Sequence, residues 1–84
     1  MYNLIIKEMK LLDFKQIDPT AYVRLIEFWS DLSRVSFLRA KSDLVLDMDI
    51  RYSLQEKDGT FVFEDSHSGD SFTYRKDLQE WIFL

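Results

Sequence analysis

Between Asp43 and Leu54 the chain reads as an alternation: Leu44, Leu46, Met48, Ile50, Tyr52 and Leu54 are separated by Val45, Asp47, Asp49, Arg51 and Ser53. Six apolar positions in period two place all of them on one side of a pleated strand and leave a mostly charged row on the other. Burying that face would contribute on the order of 10 kcal/mol, comparable to the net stability of a whole domain. The rest of the chain must therefore supply a cover for it.

The best cover is the segment from about Pro19 to Arg34. Asp18 is a capping residue and Pro19 suits a first helical position, where the missing N–H is no loss and φ is already helical. At 100° per residue, Ala21, Tyr22, Leu25, Ile26, Phe28, Trp29 and Leu32 fall on one side, with Thr20, Arg24, Glu27, Asp31 and Arg34 opposite. An amphipathic helix follows, and its aromatic face suits an apolar sheet face.

Further strands are expected on either side of the ladder. Val35 to Ala40 alternates and can turn into the long strand through Lys41, Ser42 and Asp43. Asp58-Gly59 is a strong hairpin signal, because glycine tolerates the positive φ of a tight turn. Thr60 to Glu64 then returns with Phe61 and Phe63 on one face, and Ser71 to Tyr74 forms a short strand after the polar loop Asp65 to Asp70. From Arg75 to Leu84, Leu78, Trp81 and Ile82 share one helical face, which predicts a short C-terminal helix. Residues 2–14 fit two readings. Tyr2, Ile5, Ile6, Met9 and Leu12 make a helical stripe, whereas Tyr2, Leu4 and Ile6 alternate as in a strand. The predicted fold is a single α+β domain over residues 1–84. It comprises a small antiparallel β-meander of three or four strands, packed against an amphipathic helix, with a short C-terminal helix.

Eighty-four residues without cysteine exclude a disulfide framework, a thiolate metal site and a cysteine nucleophile. They suit a reducing, cytoplasmic setting. Lys7, Glu8 and Lys10 interrupt the apolar N-terminal residues well short of a membrane span. No Gly-rich phosphate loop and no Gly-flanked nucleophilic serine occurs, so no cofactor is expected.

Charge is unevenly distributed. Residues 1–42 hold seven basic and five acidic side chains, a net of +2, while residues 43–84 hold four and ten, a net of −6; together they give the overall −4. An acidic half disfavours direct binding of nucleic acid, whose phosphates require a basic stripe. It favours a protein partner with a basic surface, such as a nucleic-acid-handling enzyme.

Asp47, Asp49, Glu64, Asp65 and Asp70 are the carboxylates assigned to that partner surface. Asp47-Met48-Asp49 has a spacing that could hold a cation in a loop, but within an alternation it reads as the solvated side of a strand, and no metal site is assigned. His67 is the single histidine, set between Asp65 and Asp70. Catalytic triads assemble across a fold rather than along one loop, so no catalytic residue is assigned.

The function expected from these features is that of a small acidic, non-enzymatic binding protein. It would inhibit or neutralise its partner by steric and electrostatic blocking, as phage anti-defence proteins such as anti-CRISPRs and bacterial immunity proteins do. No motif of either kind is present. Two alternatives remain: a structural or assembly module that forms a homodimer through Trp81 to Leu84 with Leu4, Leu11 and Phe14, and a small enzyme using His67.

Overall fold

The computed structural model describes residues 6–84. Among the described residues there are five strands and three helices: β1 Ile6–Glu8, α1 Leu11–Ile17, α2 Pro19–Ser33, α3 Phe37–Leu46, β2 Tyr52–Lys57, β3 Thr60–Asp65, β4 Asp70–Arg75 and β5 Glu80–Phe83. The strands form one antiparallel meander in the order β1-β2-β3-β4-β5. The fold is α+β, with one strand more than the expected three or four.

Helix α2 forms where the sequence places it. The Asp18 side chain accepts from the Ala21 N–H at 3.1 Å, and Pro19 occupies the first position. The Asp18 N–H also donates to the Phe14 carbonyl, so a single residue ends α1 and starts α2. At the other end Arg34 closes α2 in the left-handed region, with φ +58°.

The 44–54 ladder is divided, which corrects the strand reading. Ser36 accepts from the Arg39 N–H at 3.1 Å and starts α3, so Phe37–Leu46 is helical rather than a hairpin partner followed by a strand. Ala40 and Leu44 are buried four residues apart, a helical spacing, with Met48 continuing the row beyond the helix. Leu46 and Ile50, which a strand would have turned inward, are 69 % and 78 % exposed. Only Tyr52 and Leu54 keep their strand positions.

The C-terminal helix is likewise replaced by β5. Trp81 lies opposite Tyr74 and Phe83 opposite Phe72, and the turn before them has Gln79 at φ +53° in the place where glycine is usual. Both readings of residues 2–14 hold in part: 6–8 are strand and 11–17 are helix, while Tyr2, Leu4 and Ile5 lie outside the described residues.

One face of the sheet meets the helices in an aromatic core. The Trp29 ring of α2 packs edge-on against Tyr52, Phe63 and Phe72 at centroid distances of 5.2, 5.5 and 6.3 Å, and Phe14 of α1 meets Phe61 at 4.8 Å. Such edge-to-face pairs add stabilisation beyond the area they bury. Trp81 reaches the same core, its Nε1–H donating to the Ala21 carbonyl at 3.0 Å. The side chains of Leu11, Phe14 and Trp81 are therefore buried within the domain, which removes those side chains from the expected dimer surface. Among the described residues no helix covers the opposite face of the sheet; Gln55, Val62, Thr73 and Ile82 lie across it in register, all half-buried.

Candidate functional site

The acidic end of the molecule is built by the sharp turn that follows α3. The Asp47 carbonyl accepts the N–H groups of Ile50, Arg51 and Tyr52 at 3.1, 2.9 and 3.1 Å. This winding requires Asp49 at φ +69°, a conformation that Asp adopts more readily than most residues, and its N–H donates to the Tyr52 carbonyl at 2.6 Å. The turn throws Ile50 outward and points Arg51 toward the end of β3.

There Arg51 meets Asp65. Its Nε and a terminal nitrogen donate to the two carboxylate oxygens at 3.0 and 3.1 Å, while the guanidinium lies over the Tyr52 and Trp29 rings at 4.9 and 5.9 Å. Asp65 is 2 % exposed and also accepts from the His67 N–H and the Ser68 hydroxyl at 3.0 and 3.2 Å. Burial acts to raise its pKa, but the Arg51 hydrogen bonds and charge, with the His67 and Ser68 donors, outweigh burial and hold the carboxyl below its usual range. From the other side, the Ser66 N–H and hydroxyl both donate to the Arg51 carbonyl, at 2.9 and 2.8 Å. Gly69, at φ +76°, returns its N–H to the Asp65 carbonyl and closes the hairpin into β4. The α3–β2 turn and the β3–β4 loop are thereby fastened into one wall.

That wall borders a concavity of about 330 Å³, lined by Asp49, Glu64, Asp65 and Asp70 along with Glu8 of β1. Four of the five carboxylates assigned from sequence thus gather at one site. Asp47 is not among its lining residues; its backbone shapes the turn. Asp65 lines the concavity but is buried and paired with Arg51, and in that position it braces the wall. Glu64 is half-buried and accepts from the Gln55 side chain at 3.3 Å. Among the described residues, Glu8, Asp49, Glu64 and Asp70 form no ion pair. Their four negative charges line a concavity in which Arg51, the one cation among the described lining residues, is already matched.

Glu8 was missing from the sequence assignment. It joins the site because β1 pairs with β2 and sets Glu8 opposite Gln55, forty-seven positions along the chain. Nothing in the local pattern around Glu8 carries that register.

Glu64 also borders a second hollow of about 440 Å³ on the uncovered sheet face, lined by Gln55, Val62, Ser71 and Thr73 among others. The acidic concavity therefore opens directly onto a sheet surface of hydroxyl, amide and small apolar groups. His67 contributes its backbone N–H to the loop, and its ring stands outside the concavity, exposed. Among the described residues, no three His, Asp or Glu side chains are arranged to hold a metal ion, and no helix is long and apolar enough to cross a membrane. Compared with models of known protein families, with curated protein sequences and with solved structures, the chain matches none.

Proposed function

We propose that this protein acts by binding: it captures a partner protein through a basic surface and blocks that surface, as a small acidic inhibitor or neutralising protein does. The observation that carries this reading is the convergence of Glu8, Asp49, Glu64 and Asp70 on one concavity, with Arg51 already spent on Asp65. Like charges brought together on a rigid wall repel, and an arriving lysine or arginine relieves that repulsion. Ile50, 78 % exposed on the rim, offers an apolar contact beside the charges. The adjoining sheet face provides hydroxyl and amide groups across which a partner's backbone can lie. An enzyme built on His67 would have to work without Asp65, whose oxygens are already committed.

The test uses a lysine- and arginine-rich peptide of about ten residues as a probe of the charge complementarity. Titrated calorimetrically, the native protein should bind it with an affinity that falls steeply as salt rises. The triple variant Asp49→Asn, Glu64→Gln, Asp70→Asn should keep its fold and lose most of the binding. Equal affinity in the two proteins would rule out the electrostatic mechanism.

A further inference from the structure

The two edges of the sheet differ in how they meet solvent. At one edge β1 is three residues long and carries Lys7 and Glu8, both exposed, charges of the kind that discourage stray strand pairing. At the other, β5 reads Glu80-Trp81-Ile82-Phe83 and carries one charge, at its start. The Leu84 N–H donates to the Ser71 carbonyl at 2.8 Å, which makes Ser71 and Leu84 a hydrogen-bonded pair. Since such pairs alternate along an antiparallel ladder, Ile82 and Glu80 also bond inward to β4, while the N–H and C=O groups of Trp81 and Phe83 point away from the sheet. Phe83 is 56 % exposed even though its ring meets Phe72 at 4.6 Å, and Leu78 is 55 % exposed in the turn leading into the strand. Between this edge and α2 lies a groove of about 400 Å³ bordered by Arg24, Glu27, Phe28, Asp31, Leu78 and Trp81.

We infer that β5 is a dimerisation edge whose occupant is β5 of a second copy, joined about a two-fold axis perpendicular to the sheet. With Ile82 opposite Ile82 of the other copy, the outward groups of Trp81 on each copy bond those of Phe83 on the other, four hydrogen bonds in all. This register sets Glu80 across from Leu84 rather than from the Glu80 of the other copy. Phe83 of each copy then enters the groove beside Trp81 and Phe28 of the other.

Charge on α2 agrees with the same axis. Trp81 is bonded to Ala21 and the Phe83 ring lies 6.3 Å from Phe28, so α2 runs in the same direction as β5. Across the axis the two α2 helices are therefore antiparallel. Each sets the row Arg24, Glu27, Asp31 beside its own reversal, so that Arg24, which bonds the Glu27 of its own helix at 3.3 Å, also meets the carboxylates of the other copy. Because the axis is perpendicular to the sheet, the uncovered faces of both copies lie on one side of a ten-stranded sheet and carry two acidic concavities. That extends the proposed binding function, on which the dimer itself does not depend, to a bivalent form whose avidity exceeds that of either site.

Sedimentation equilibrium combined with amide hydrogen exchange tests this. The native protein is expected to be a dimer at about 0.1 mM, with the Trp81 and Phe83 amides exchanging slowly in the dimer and quickly on dilution. Arg24→Glu should weaken the dimer at least ~10-fold, and Arg24→Glu combined with Asp31→Arg should recover most of that loss. Phe83→Lys, with folding confirmed by circular dichroism, should leave a monomer. A native monomer at that concentration would overturn the inference, as would a dimer in which the Trp81 and Phe83 amides exchange freely or whose affinity the Arg24 exchange leaves unchanged. Binding of the basic peptide by the monomeric Phe83→Lys variant separates a failure of the dimer from a failure of the acidic site.

Discussion

Arg51 grips Asp65 through two hydrogen bonds of 3.0 and 3.1 Å, and the pair joins the turn that begins β2 to the loop that ends β3. The carboxylate is buried, whereas the guanidinium remains about one-third exposed and lies over two aromatic rings. Asp65→Asn keeps the shape and removes the charge. It should destabilise the fold by about 2 to 3 kcal/mol, because charged hydrogen bonds to a buried oxygen are lost while the guanidinium can still reach water. Urea denaturation of the two proteins measures the difference.

The same pair sets the response to acid. The Asp65 pKa is held below its unfolded value, so its stabilisation is fully present above about pH 4 and is lost as pH falls through the lowered folded value. Thermal unfolding followed from pH 6 to pH 2 should show a fall in midpoint concentrated below about pH 4, and Asp65→Asn should flatten that part of the curve.

Arg34 ends α2 in the left-handed region, at φ +58°, where a side chain is strained and glycine is not. Arg34→Gly should therefore stabilise by about 0.5 to 1 kcal/mol, seen as a rise of a few degrees in unfolding temperature. A fall would mean that the Arg34 side chain supplies more than its backbone costs.

At the start of that helix Asp18 caps α2 and closes α1. Asp18→Ala removes the side-chain acceptor and should cost about 1 kcal/mol, whereas Asp18→Asn, which keeps an acceptor oxygen, should cost much less. Chemical denaturation of the two variants side by side separates the cap from the charge.

Helix α2, the Asp58-Gly59 turn and strands β3 and β4 were legible because each carries a local signal: a cap followed by proline, a glycine at a tight turn, and aromatic residues two apart. The 44–54 ladder misled because Ala40, Leu44 and Met48 satisfy a helical spacing while Leu44, Met48 and Tyr52 also satisfy an even one. The Ser36 cap decided for the helix, and its weight against six alternating residues was not visible from the pattern. The last strand was hidden by its turn, in which Gln79 rather than glycine takes the positive φ. Trp81 and Phe83 in fact alternate around Ile82, a period-two signal obscured by the helical spacing of Leu78, Trp81 and Ile82. At the candidate site, acidic composition brought out Asp49, Glu64 and Asp70, but the burial of Asp65 and the arrival of Glu8 depend on long-range pairings that no local window contains.

The most direct test of the binding account is a nuclear magnetic resonance titration of the isotope-labelled protein with the basic peptide, following every backbone amide. The account predicts shifts concentrated at Glu8, Asp49, Ile50, Glu64 and Asp70 and running onto the uncovered sheet face at Gln55 and Ser71, all suppressed by added salt. Shifts centred instead on the outer surfaces of α1 and α3, with those residues unmoved, would contradict it.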